Sequence, residues 1–425
     1  MRAQQNNIFS GIDLPLILLY LFLVIFGWMT IYAASRSEDH YLLFDFATKY
    51  GKQMLWIGMS FILIVLILFI DTKFYERFSS LIYLASVFSL AGLFVFGKKI
   101  NGATSWYDLG AISLQPSEFA KFATVLALAK LLSDRQYDLN LVKNQIKAFI
   151  VIFLPAILIT LQPDPGSALV YSAFFFVLYR EGLPIYYIAI GAFAIALFIL
   201  TLAFGFNMIL LCTYLVFSIF LLYVILYRKI SLKFHWLKIA GLYALSGLFI
   251  FSVDYVYKHI FEQRHRDRFN ILLGKNTDIT GAGYNTNQSV LTIKSGGFSG
   301  KGYLQGDRTQ GNFVPEQETD YIFSTIGEEW GFLGSALVVI VFSFFVLRII
   351  QLAEKQKTTF SRVYGYGIAA VFFFHYLINI GMVIGLFPTI GIPLPFFSYG
   401  GSGLWGFTIL LFIFIKLDAS KLYEL

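Results

Sequence analysis

The chain has 425 residues, of which 58% are hydrophobic and only 13% charged, about half the charged share usual in soluble domains. With 47 Phe and 26 Tyr and a mean hydropathy of +0.71, it holds more apolar surface than a soluble fold can cover and far more than a disordered chain contains. A net charge of +7 therefore bears on membrane orientation rather than on nucleic acid; a soluble metabolic enzyme, a nucleic-acid-binding domain and a disulfide scaffold are excluded, and an all-α polytopic membrane protein is left.

A helix needs about 20 apolar residues to cross the hydrocarbon core. Runs of that kind lie near 13–34, 53–71, 77–97, 115–133, 146–163, 166–180, 184–205, 207–228, 236–257, 320–350, 364–387 and 402–417, which predicts about 12 transmembrane helices, some short or broken. The polar residues Met1–Asn7 lead into the first run with no A-x-A cleavage site, so that run reads as a retained span. The one cysteine, Cys212, lies in an apolar run and reads as packing. The five histidines are too far apart in sequence for a zinc motif.

Lys and Arg in the short loops set the orientation. They recur in alternate connections, at Lys73 and Arg77, Arg135 to Lys147, Arg180, Arg228 to Lys238, and Arg348 to Arg362, while the stretch from Phe387 to Ser402 carries none. Both termini are thereby expected in the cytoplasm. The longest polar stretch, 258–319, is expected on the outer face, with short strand-like or helical pieces at most. Its glycines, Gly281, Gly283, Gly296, Gly297, Gly300 and Gly302, predict tight turns.

Ionisable residues at membrane depth are costly, and each is a functional candidate. Gln115-Pro116-Ser117-Glu118-Phe119-Ala120-Lys121 opens the fourth run. Glu118 and Lys121 are three apart and share a helix face; they read either as a capping acid with a snorkelling lysine or as a polar cavity lining with a cation for an anionic group. Gln162-Pro163-Asp164-Pro165-Gly166 breaks a hydrophobic stretch, as a plain turn or as a broken helix around a carboxylate. The long loop carries Arg264, Arg266, Arg268, Lys294, Lys301 and Arg308, then Glu316, Glu318 and Asp320. Asp320, Ser324, Gly327 and Glu328 recur at near-helical spacing, as an inward polar stripe. The segment from Phe387 to Gly403 has three prolines followed by glycines and no acid or base, so its role is expected to be architectural.

The strings NGATSWYDLGAISLQPSEFAK, QPDPGSALV, GAGYNTNQSVLTIKSGGFSGKGYLQG, FVPEQETDYIFSTIGEEWGFLG and GLFPTIGIPLPFFSYGGSG together resemble the SEDS family (RodA/FtsW/SpoVE), in order and over nearly the whole chain, as one membrane domain over 1–425. Gly302 to Gly306 and Val314 to Gln317 resemble the elongation branch more than the division branch. The resemblance implies a peptidoglycan glycosyltransferase of the bacterial cytoplasmic (inner) membrane. It would polymerise lipid II on the outer face during elongation and shape maintenance, beside a class B penicillin-binding protein. Asp320 matches the family's essential aspartate; Lys121, Glu118, Gln115, Trp106 and Asp164 match its outward cavity, and Arg266 and Arg268 an arginine pair. Glu316 joins them as a substrate-binding candidate.

That chemistry suits these residue types. A sugar hydroxyl must attack an anomeric carbon while undecaprenyl diphosphate leaves, so one carboxylate as general base is sufficient. Cations, whether Arg and Lys or a divalent Mg or Mn, stabilise the leaving group. Two departures stand out. The family pattern has ten spans, which places a probable extra helical hairpin at 206–257 with a basic inner loop that includes Lys229. The family usually has histidine where Glu318 stands, and the extra acid is expected either to raise the pKa of Asp320 or to help hold a metal. The rival reading is a carrier, such as a lipid II flippase, but the ionisable groups gather at span ends and no internal repeat is evident.

Overall fold

The structure, a computed structural model, describes residues 11–36, 45–100, 102–110, 113–228, 232–261, 263–275 and 283–421; the expectations for Met1–Asn7, Lys229 and Gly281 lie outside them. It divides into two units, residues 1–184 with 285–425, and residues 185–284.

The first unit begins with three long helices, α1 (Leu14–Ser35), α2 (Lys49–Phe69) and α3 (Thr72–Phe96). Each is opened by a side-chain cap, from Asp13, Thr48 and Asp71 respectively, which satisfies a backbone N–H that the first turn leaves unpaired. Then comes a departure from the all-α expectation: a small antiparallel sheet, β1 (Lys98–Ile100), β2 (Ala103–Asp108) and β3 (Ser113–Leu114). Strands this short carry too little alternation to be read from sequence. The sheet ends at α4 (Pro116–Leu132), which is followed by α5 (Val142–Leu161).

The run expected over 166–180 is three pieces, α6 (Pro165–Leu169), a 3-10 turn (Val170–Ala173) and α7 (Phe174–Arg180). In the second unit α8 (Tyr186–Phe204), α9 (Phe206–Arg228) and α10 (Leu232–Tyr255) lead through a π-helical turn to α11 (Gln263–Leu272). Leu197, Ile209 and Ile250 form its small apolar centre, and the Tyr214 hydroxyl donates to the Tyr243 carbonyl across α9 and α10 at 3.1 Å.

The first unit resumes with α12 (Tyr284–Gly296), α13 (Asp307–Gln310), α14 (Ile322–Glu329), α15 (Gly331–Glu354), α16 (Thr359–Val383) and α17 (Gly401–Ser420). The expected span over 320–350 is therefore two helices. Gly331 adopts φ +62°, a left-handed conformation that interrupts the helix without side-chain strain. The Phe332 and Leu333 amides then donate to the Gly297 and Phe298 carbonyls. Among the described residues ten helices are long and apolar enough to cross a membrane, rather than twelve. The other two runs are α4, whose 17 residues rise only about 25 Å, and the interrupted 165–180. α4, α16 and α17 are the most enclosed of the long helices, and α4 packs on α3, α16 and α17.

The loop after α12 is fastened to α14 by two buried acids. The Glu328 carboxylate accepts from Lys301 Nζ (2.7 Å), from the Arg308 and Thr309 amides (3.1 and 2.7 Å) and from the Thr309 hydroxyl (2.8 Å). Lys301, read from sequence as a loop cation, is thus spent on the fold; the Arg308 guanidinium donates to Thr292 Oγ1 (3.1 Å) and Gln288 Oε1 and stacks over Phe313. Burial alone would raise the Glu328 pKa, but these donors hold it below the usual carboxylate value. Its neighbour Glu329 has one amide donor, Leu304, and its Oε2 has no hydrogen-bond partner. Burial, with the Glu328 charge adding to it, pushes the Glu329 pKa up to about 7.

A folded-state pKa above the ordinary 4.5 means that folding favours the protonated acid, so stability is lost as pH rises from 4.5 towards 7. The thermal unfolding temperature of the detergent-solubilised protein is expected to fall between about pH 5 and pH 8, and Glu329→Gln to remove most of that slope. An unchanged slope in the variant would place the titration elsewhere.

Candidate functional site

The site is built around the segment 387–403, which threads between helices and carries backbone rather than charge. Its carbonyls and amides are gripped from several sides. The Asn379 amide on α16 donates to Ile392 O (2.7 Å) and to Asp320 O (2.9 Å). The Ser398 hydroxyl donates to Thr319 O (2.7 Å) and accepts from the Leu394 amide, while the Tyr399 amide donates to Glu318 O (2.8 Å). The architectural role expected of this segment is what the contacts describe: it fixes the backbone on both sides of Asp320.

Asp320 lies in the turn just before α14, not on the helix, so the expected stripe with Ser324, Gly327 and Glu328 is broken at its first member. The Ser324 hydroxyl turns back on Tyr321 O, and Glu328 faces the loop described above. The turn is held by Gln317, whose amide reaches Ala34 O and Thr309 O. Tyr321 holds it from the other side, its hydroxyl 2.8 Å from Thr389 Oγ1. Glu316, exposed on the same turn, has φ +54°, a conformation rare for a side-chain-bearing residue and one that clusters at working sites. Its carbonyl accepts from the Thr319 and Tyr321 amides.

The Glu318 carboxylate pairs with Lys49 at the start of α2. Among the described residues no three His, Cys, Asp or Glu side chains converge to hold a metal; a divalent cation would have to take most of its ligands from a substrate diphosphate.

Asp164 approaches from the break between α5 and α6. One carboxylate oxygen caps α6 by accepting from the Ser167 amide (3.0 Å); the other accepts from the Gln115 side-chain amide (3.3 Å). Two residues on, Gly166 lies against the proline segment so closely that a Cβ would sit 2.4 Å from Ile390 O, and a Cβ on Gly391 would meet Asp320 Oδ2 at 3.4 Å. Gly166 and Asp320 therefore meet the same few residues, 390–392. The Thr104 amide donates to Gln162 O, which brings β2, and with it half-buried Trp106, to the same break. Ser105 Oγ, Ser117 Oγ and Gln162 Oε1 are buried without a hydrogen-bond partner, an uncommon state for buried polar atoms.

Behind these groups lie Glu118 and Lys121, in a closed pair at 2.8 Å with side chains 3% and 2% exposed. The sequence reading has Lys121 available to an anionic group, but its ammonium is enclosed. It also donates to His375 Nε2 at 2.9 Å and lies over the Phe407 ring. A charge buried this deeply is tolerable only with such partners. Arg266 and Arg268 lie on α11 in the second unit, where Arg266 donates to Lys258 O at 3.2 Å. Sequence reasoning missed His375, Asn379 and Lys49; the first two stand alone on an apolar helix, and only their spacing of one turn hints at a shared task.

Comparison with known proteins finds relatives over nearly the whole chain. The family model FTSW_RODA_SPOVE, described as cell cycle protein, matches residues 14–211 and 192–423. Peptidoglycan glycosyltransferase RodA of Treponema pallidum (strain Nichols) is 31% identical over 97% of this chain and 99% of its own. Peptidoglycan glycosyltransferase MrdB of Escherichia coli (strain K12) is 31% identical over 92% of this chain and 90% of its own. Among solved structures, one described as "Structural coordination of polymerization and crosslinking by a peptidoglycan synthase complex" has the same fold at TM-score 0.70 and 24% identity, covering 97% of this chain and 99% of that one. The crystal structure of the rod shape determining protein RodA of Thermus thermophilus aligns at TM-score 0.63 and 23% identity, over 97% and 98%.

The buried pair makes a prediction about stability. Glu118→Met or Lys121→Met alone leaves an unpaired buried charge and is expected to cost about 3–5 kcal/mol, whereas the double variant regains most of it. Thermal unfolding in detergent measures both, and additive losses would show that the two groups do not depend on each other.

Proposed function

The chain belongs to the cell cycle protein family FTSW_RODA_SPOVE and is a multi-pass membrane peptidoglycan glycosyltransferase; from that premise we propose that it polymerises lipid II at the pocket around Asp320. Two relatives at 31% identity over nearly their whole length carry that activity in their names. The observation that favours Asp320 as the working group is its setting. It is the carboxylate whose backbone carbonyl is clamped by Asn379 and whose side chain faces Gly391, on the proline segment that Gly166 meets at Ile390.

Asp320 takes the proton of an acceptor sugar hydroxyl as that oxygen attacks the anomeric carbon of the donor. The bond to undecaprenyl diphosphate breaks with inversion, and no covalent enzyme intermediate is needed. A carboxylate whose main chain is held in place suits this task, because the geometry is set before substrate arrives. Gln115, Trp106 and Asp164 position sugar groups at the pocket wall, and exposed Glu316 meets substrate at its edge. Guanidinium forks match the paired oxygens of a diphosphate, which is the role the family resemblance implies for Arg266 and Arg268. Glu118 and Lys121 act from behind the wall, as fixed charge.

The loop distribution of Lys and Arg supports cytoplasmic termini and an active site on the outer face of the inner membrane. A class B penicillin-binding protein of the elongation machinery is the partner we propose, in line with the polymerising and crosslinking complex whose fold this chain shares. The helices α9 and α10 are the added hairpin.

The purified protein with its partner transpeptidase and labelled lipid II is expected to make long glycan strands. Asp320→Asn is expected to slow this by about 100-fold or more. Strands from both at equal rate would keep the enzyme and remove Asp320 as base. Strands from neither, with lipid II crossing vesicle membranes, would establish the flippase instead.

A further inference from the structure

We infer that His375 and Asn379, one helical turn apart on α16, are positioning residues that fix the distance between the buried Lys121 ammonium and the backbone of Asp320. The inference rests on the reading of Asp320 as the working carboxylate.

The contacts form one continuous chain. An ammonium only donates and a carbonyl only accepts, so the partners of His375 set its tautomer. Nδ1 carries the hydrogen and donates to Pro393 O at 3.1 Å, leaving Nε2 as acceptor for Lys121 Nζ at 2.9 Å. Four residues on, Asn379 donates to the adjacent carbonyl, Ile392 O, and to Asp320 O. Positions four apart share one helix face, so the two side chains grip consecutive carbonyls of the proline segment. One end of the grip is tied to the lysine and the other to the aspartate. Both side chains are buried, at 1% and 0% exposure, and Phe407 packs edge-on against the imidazole at 4.8 Å. Both side chains are buried, so their effect runs through the carbonyls they hold. Pro393 and Pro395 have no N–H to give, so carbonyls 392 and 393 carry this part of the grip. Small misplacement of a base from its near-attack position costs rate steeply, so the grip matters to turnover more than to binding.

The two imidazole nitrogens can be tested apart. Asn places its amide where Nδ1 stands and keeps the bond to Pro393 O; Gln places its carbonyl where Nε2 stands and keeps the acceptor for Lys121. Wild type and Asp320→Asn are assayed first with labelled lipid II in the purified complex, and a wild type that makes no strands would fail the functional reading rather than this one. Given an active wild type, His375→Asn and His375→Gln are each expected to lower kcat by about tenfold, and His375→Ala by about 100-fold, with KM within about threefold of wild type. Asn379→Ala is expected to act as the single-arm variants do. Unfolding temperatures of His375→Asn and His375→Gln are expected to stay near wild type. Wild-type rates in both would overturn the inference. So would losses of kcat that track losses of thermal stability across the series, because that pattern belongs to a merely structural histidine. If His375→Ala does not fold, the Asn and Gln variants decide the matter.

Discussion

The interaction on which the site depends is the burial of one ammonium ion, Lys121, in the middle of an apolar bundle. Such a charge costs several kcal/mol unless it is fully partnered, and the partners dictate much of what surrounds it. Glu118 supplies the counter-charge from the same helix, which fixes the face α4 turns inward. His375 supplies a neutral acceptor from α16, which fixes the register of α16 on α4. Because the imidazole has a second nitrogen, satisfying the lysine also leaves a donor pointing the other way, and that donor meets the proline segment. The electrostatic requirement of one side chain is thereby converted into the position of a backbone loop.

The turn bearing Asp320 uses a different device. It is anchored by neutral hydrogen bonds to the backbone, from Asn379, Ser398 and Gln317, and an ion pair, Glu318 with Lys49, reaches α2. A half-exposed pair of this kind contributes only about 0.2–1 kcal/mol. Its value lies in geometry, since it ties the turn to a third helix while occupying an acid that would otherwise repel the Asp320 carboxylate. The Glu328 cluster does the same for the loop before it: Lys301 and the Arg308 and Thr309 amides are drawn to one buried carboxylate. The turn is therefore fixed at both ends.

Much of this was legible in the sequence, and the parts that were not share a cause. The spans announced themselves by length and hydropathy, and the Glu118 and Lys121 pair by its spacing of three. Asp320 was found because its surrounding string is long and distinctive. The small sheet around Trp106 was missed because two- to six-residue strands carry no period. The break at Gly331 was hidden inside a continuous apolar run, which hydropathy cannot resolve from a single helix. Lys49 and His375 were missed for another reason: their partners lie 269 and 254 residues away. A lone polar residue on an apolar helix reads as incidental until the fold supplies its neighbour.

The division of labour among carboxylates follows from the same geometry. Around the turn, Glu118 is paired with Lys121, Glu318 with Lys49, and Asp164 is engaged by the α6 cap and Gln115. A carboxylate engaged by a cation or by backbone donors resists proton uptake, because protonation would break those bonds. Asp320 is restrained at its main chain: Asn379 grips its carbonyl oxygen, and its Oδ2 lies towards Gly391. A base for sugar transfer needs such a fixed origin, because misplacement from the near-attack position costs rate steeply.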